Sequence, residues 1–179
     1  MTTRTNFPLA DEILAAHAQA LGADFDAYRN HVCRMLHFFV ALAGGNEAPP
    51  DHVQVAAAFH DLGIWTAHTF DYLPPSVALA DAWLAGRGME SLAPEVAAIV
   101  TEHHKLRPWR GPWEATVETF RRADLVDLSL GAIRFGLPAA QVRAVRTAFP
   151  NAGFHRLLAR LTVRQFLRTP LRPLPMFRW

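Results

Sequence analysis

The chain has a single cysteine, Cys33, among its 179 residues, so no disulfide can form within it. Packing and hydrogen bonds must hold the fold, and a cytoplasmic setting is the simplest reading. Cys33 lies inside an apolar helical pattern, where a packed thiol is expected rather than a nucleophile. No apolar run approaches the roughly 20 residues of a membrane helix, and Met1 to Asn6 lacks the apolar stretch of a signal peptide. Membrane association is therefore not expected. Lysine is nearly absent: Lys105 stands alone beside 17 arginines. Acidic residues are absent after Asp127, with sixteen acids and nine bases up to that residue and nine bases after it. Such a division reads either as two solvated faces attracting each other within the fold, or as a basic wall that draws an anionic substrate.

Sustained period-two alternation is also missing. Apolar residues recur instead at three- and four-residue spacing, with Gly and Pro as punctuation. The expectation is all-α: one domain over residues 1–179, a helical bundle of about seven or eight helices. The pattern places a helix from Leu9 to Leu21. A second, with Asp24 as its N-cap, runs to about Ala43 before Gly44-Gly45. Pro49-Pro50-Asp51 opens a central helix ending at His60-Asp61. Further helices start at Pro74-Pro75-Ser76 and Ala93-Pro94-Glu95, and others span Trp113 to about Leu130, Pro138 to Phe149 and Phe154 to Leu167. Thr169 to Trp179, rich in proline, reads as an extended tail that docks on the fold or on a second subunit.

The helix-borne histidines and acids carry the chemistry. Ala56-Ala57-Ala58-Phe59-His60-Asp61-Leu62-Gly63 takes an imidazole and a carboxylate into the interior at a helix end. Burying both is costly unless a hydrogen bond between them, or a cation, satisfies them. His31 borders the apolar face formed by Tyr28, Val32 and Met35. Arg34, one turn on, can meet a substrate oxyanion or an acid near the site. His103 and His104 follow Ile99 and Val100, so one of them is expected to face inward. Lys105 beside them is a compact donor for phosphate. Asp124 and Asp127 lie one turn apart on a later helix. Trp109 and Arg110 either pack or stack a ring.

The order of these residues resembles the HD-domain superfamily of metal-dependent phosphohydrolases over about residues 25–130. His60-Asp61-Leu62-Gly63 resembles its core motif, His31 with Arg34 its first, and Ala123-Asp124 its last. The resemblance implies that His31, His60, Asp61 and Asp124 hold a divalent ion (Mn, Fe, Mg, Co, Ni or Zn), one expected and two admissible. It implies a phosphoester substrate, with a nucleotide among the candidates. Catalytic or substrate-binding roles then fall to His103, His104, Lys105, Arg34 and Asp127, with Asp127 as the acceptor or base behind the ligands. His68 is the candidate second-metal ligand, and Asp71 to Ser76 a candidate loop over the ion.

Two departures bear on specificity. No Glu follows directly after Asp61, where some nucleotidases of the superfamily place one, and no Gly-Tyr-Pro follows the His pair. A di-iron oxygenase of the same fold and a metal-stabilised binding module without turnover stay open beside the hydrolase. The expected partner is a small phosphorylated anion. Nucleic acid is not favoured, and a homo-oligomer is open.

Overall fold

The computed structural model of the protein describes residues 4–45, 47–170 and 176. In chain order the helices are α1 (Pro8–Ala16), α2 (Ala18–Leu21), α3 (Phe25–Leu42), α4 (Asp51–Phe59), α5 (Gly63–Thr66), α6 (Leu73–Ala85), α7 (Ala93–Glu102), α8 (Glu114–Leu128), α9 (Ala139–Ala148) and α10 (Phe154–Arg168). Short 3₁₀ turns cover Gly22–Asp24 and Glu90–Leu92. Eight of the helices have nine or more residues, and the described residues contain no strand, so the fold is the all-helical bundle that the periodicity implies. None of the described helices is long and apolar enough to cross a membrane.

Proline starts several helices. Pro8, Pro74 and Pro94 occupy first turns, where the missing N–H has no intrahelical partner to lose. Pro50 and Pro138 stand immediately before α4 and α9.

Four helices close a ring of contacts: α3 packs along α8, α8 meets α7, α7 meets α4, and α4 returns to α3. α1 covers α4, α6 lies on α7 and α4, and α9 and α10 pack on α3. The buried apolar side chains join in one cluster from Phe7 to Met176. α4 is enclosed so tightly that Val55 to Phe59 has no exposed surface. The run Ala56-Ala57-Ala58 supplies the small side chains that allow this, and it carries His60 and Asp61 to the middle of the ring.

Several expectations need correction. The first helix breaks at His17, whose Nδ1 bonds the Ile13 carbonyl at 2.9 Å. Asp24 does not cap α3; its carboxylate accepts the Trp65 indole N–H at 3.1 Å. α8 starts after Trp113, which sits in the left-handed region at φ 54°. On α10 only Phe154 and Leu157, near its start, are buried, and Phe166 at its far end is exposed. The proposed tail falls largely on residues 171–175 and 177–179, outside the described residues.

Gly63 opens α5 rather than ending a helix. A Cβ there would lie 2.5 Å from the Tyr72 carbonyl oxygen and 2.9 Å from Ser76 Oγ, and its N–H donates to that hydroxyl at 3.0 Å. Only hydrogen fits, so the chain before α6 presses directly on the His60-Asp61 corner. Gly63→Ala should destabilise by about 1–3 kcal/mol through overpacking, read as a lower thermal midpoint.

The segment after α7 is pinned by Glu118. Its carboxylate accepts from the Trp109 N–H and from Arg121 and Arg122, while Arg121 also donates to the Lys105 carbonyl at 3.1 Å. Burial opposes this charge, but the bonds from Arg121, Trp109 and Arg122 outweigh it and hold the carboxyl down at about 2. A depressed carboxyl stabilises above its unfolded pKa and loses that contribution as pH falls. Glu118→Gln should therefore cost about 1–3 kcal/mol at neutral pH. In thermal melts, the gap between wild type and variant should close as pH drops from 4.5 toward 2.

Candidate metal centre

The ends of α4 and α7 point at the same spot. His60 follows the last residue of α4, and His103 follows the last residue of α7. Helix C-termini leave carbonyls without backbone partners, and both histidines use one. His60 Nδ1–H donates to the Ala57 carbonyl at 2.8 Å, and His103 Nδ1–H donates to the Val100 carbonyl at 2.7 Å. His31, on α3, is fixed by a side chain instead: its Nδ1–H donates to Asp127 Oδ2 at 2.7 Å.

These three bonds decide the tautomers. An imidazole that donates through Nδ1 presents a lone pair at Nε2. All three Nε2 atoms face inward, toward two carboxylates. His31 Nε2 lies 3.1 Å from His60 Nε2 and 3.6 Å from Asp124 Oδ1. His60 Nε2 lies 3.3 Å from Asp61 Oδ2, and His103 Nε2 lies 3.6 Å from Asp61 Oδ1. His103 Nε2 and Asp61 Oδ1 are buried without a hydrogen bond. Buried acceptors facing one another need a donor or a cation between them.

The spacing fits a cation. Neighbouring ligands held at about 2.1 Å from a tetrahedral or octahedral ion stand roughly 3.0–3.4 Å apart. The His31–His60 and His60–Asp61 separations fall in that range. His31, His60 and Asp61 form one group able to hold a metal ion, and Asp61, His103 and His104 form another that shares the same carboxylate. The partial negative charges at the ends of α4 and α7 add to the attraction.

Burial opposes charge on each of these groups, and only on Asp61 do its neighbours outweigh it. Burial pushes the Asp124 carboxyl up to about 8, with Asp61 and Asp127 adding to the rise against His103. Burial lowers His31 to about 4 and holds His104 well below the ordinary histidine value. Burial also opposes charge on Asp61, but His60 and His103 outweigh it and keep that carboxyl well below the usual range.

The structure assigns definite places to the remaining sequence candidates. Asp127 accepts from His31 and, in a two-pronged pair, from Arg34 Nε at 2.6 Å and Nη2 at 2.7 Å. Arg34 is 1% exposed, and its Nη1 donates to the Phe149 and Pro150 carbonyls. Of the two readings for Arg34, the acid partner is the one found, and four of its five N–H groups are spent on Asp127 and the two carbonyls. Burial opposes ionisation of Asp127, but His31 and Arg34 hold its carboxyl far below the ordinary range.

His103 and His104 both reach the centre rather than one of them. His68 belongs to neither group; it is exposed, at φ 51°, and lines a separate cavity. It is not the second-metal ligand expected from the sequence. Lys105 Nζ sits 3.5 Å from Glu102 and over the Trp109 ring. Trp109 packs and bonds the Pro112 carbonyl, while Arg110 pairs with Glu114.

Three supporting residues escaped sequence reasoning. The Tyr28 hydroxyl donates to the Ala58 carbonyl and accepts the Asp61 N–H, fixing the corner that carries the carboxylate. The Tyr72 hydroxyl meets His104 Nε2 at 2.5 Å. Phe154, at the start of α10, stacks on the His31 ring at 4.1 Å. Each sat in an apolar or aromatic pattern, and only Tyr72 carried a signal, because it lies in the segment expected over the ion.

The Asp127–His31 bond should set metal affinity without Asp127 touching the ion. Asp127→Asn should weaken metal binding by about 10–100-fold, read by competition with a chromophoric chelator. Asp127→Glu should recover part of it.

Comparison with known proteins finds no matching family model and no significant match among characterised proteins or solved structures.

Proposed function

We propose that the protein is a metal-dependent hydrolase of a small phosphoester. The observation that carries the reading is the set of three imidazoles whose Nδ1–H groups are committed outward while their Nε2 lone pairs face Asp61 and Asp124. Such a set suits a divalent ion better than any internal hydrogen bond. The order His31, His60-Asp61, Asp124, which resembles the HD superfamily, supplies the reaction class.

His31, His60, Asp61 and Asp124 would hold the ion. When bound, it would supply a water of lowered pKa and neutralise phosphoryl oxygens. The protein's own groups do the rest. His104 is the most exposed member of the cluster, with 11% of its side chain reachable, so substrate approaches from its side. Tyr72, bonded to His104 and kept protonated by burial and the nearby Asp61 charge, orients that imidazole. Lys105 adjoins His104 and offers a point charge for a phosphate oxygen. Asp127 and Arg34 keep His31 turned inward.

A second reading rests on one observation. Asp61 joins both ligand groups, and His103 with His104 completes the second. That arrangement favours two ions, as in the di-iron oxygenases of the HD fold. Elemental analysis with an oxygen-consumption assay separates the two readings.

The hydrolase reading predicts turnover of generic phosphoesters or nucleotides with Mn²⁺, Co²⁺ or Fe²⁺ added. Asp61→Ala should abolish both turnover and stoichiometric metal. Lys105→Ala should lower turnover by about 10-fold or more with metal content unchanged. A metal-replete protein inactive on all phosphoesters would overturn the assignment.

A further inference from the structure

Away from the metal centre, α10 carries Arg156, Arg160, Arg164 and Arg168 at four-residue intervals. A helix of 3.6 residues per turn sets such residues in one slowly turning line. None of the four has an ion-pair or hydrogen-bond partner among the described residues. Seven other arginines do: Arg29, Arg34, Arg87, Arg110, Arg121, Arg122 and Arg146 each stand within ion-pair distance of a carboxylate.

The unpaired line borders a concave site. Arg160, Arg164 and Arg168 line a cavity of about 300 Å³ between α10 and the Ile64–Phe70 segment. Arg156 and Arg160 line an adjoining cavity of about 270 Å³. The first cavity also presents the aromatic side chains of Trp65 and Phe70. His68 and Thr69 add polar groups, and the Thr69 hydroxyl, which accepts the Asp71 N–H, keeps its own hydrogen to donate. Asp24 is the one carboxylate in the lining, and it is engaged by the Trp65 indole.

Guanidinium groups gathered around a single carboxylate, with none of them paired to it, repel one another, and a ligand bearing several negative charges relieves that repulsion. Guanidinium matches phosphate oxygens in two-pronged geometry. From Arg160 to Arg168 the helix rises about 12 Å, a span over which long side chains can converge on two or three linked phosphates. The volume suits a small molecule rather than a polymer track. The aromatic surface beside the arginines suits a base or ring.

We propose that this cavity binds a polyphosphate, carried by a nucleotide or as an inorganic chain. The site shares no residue with the metal centre, so it stands whether or not the hydrolase reading does.

The test is isothermal titration with ATP, inorganic tripolyphosphate and adenosine, with a chelator present so that no metal mediates binding. ATP and tripolyphosphate should bind and adenosine should not. A clear preference for ATP assigns a nucleotide; equal binding assigns the phosphate chain alone. Arg164→Glu, at an exposed position, should weaken binding by at least about tenfold with an unchanged melting curve. Arg143→Glu makes the same charge change on α9, away from the cavity, and should leave affinity within about twofold. Three outcomes would overturn the proposal: no binding at millimolar ligand, equal losses in the two variants, or tighter binding of a single-stranded oligonucleotide than of ATP.

Discussion

Three imidazoles and two carboxylates meet inside the helix ring with their lone pairs turned toward one another, and this constraint shapes what surrounds them. A neutral imidazole has one donor and one acceptor nitrogen. In His31, His60 and His103 the donor is spent on Asp127, the Ala57 carbonyl and the Val100 carbonyl. The interior therefore holds more acceptors than donors. A cation satisfies such a set, whereas water or a protein donor serves only part of it. The rise of Asp124 and the fall of His31 both come from burial, which outweighs the opposing pull of His103 on the one and of Asp127 on the other.

The architecture keeps those side chains from turning away. Two of the three imidazoles are locked by the carbonyls of their own helix ends, so the lock forms as the helix forms. The third depends on α8 reaching α3, and Arg34 secures that contact by clamping Asp127 from the other side. Arg34 in turn holds the carbonyls of Phe149 and Pro150, which ties the end of α9 to the same knot. Phe154 seals the outer face of His31. The approach of the chain before α6, which Gly63 permits, brings Tyr72 to His104.

Charge is divided in space as well as along the chain. The acids of the first 127 residues include those that line the centre, while the basic stretch after them supplies α10, with its unpaired arginine line. Of the two readings of the charge asymmetry, an internal attraction between oppositely charged faces accounts for little of α10. Among the described residues of the basic region, Arg146 alone comes near an acid of the centre, 3.6 Å from Asp127. The charge of the α10 arginines is available to an anion from outside.

The sequence by itself determined the helical class, the proline-marked helix starts and the arrival of His60-Asp61 and His103-His104 at helix ends. Local periodicity and chain stereochemistry fix those features, because they concern neighbours within a few residues. It also marked His31 by the apolar face it borders, and Asp124 by the resemblance of Ala123-Asp124 to a family motif. Only the tertiary structure decided which nitrogen of each histidine faces inward, that Arg34 serves Asp127, that both His103 and His104 belong to the centre and that His68 does not. Those outcomes depend on contacts between residues such as His31 and Asp127, 96 positions apart. Periodicity reports which face of a helix is buried, but it carries no information about which face of another helix it will meet.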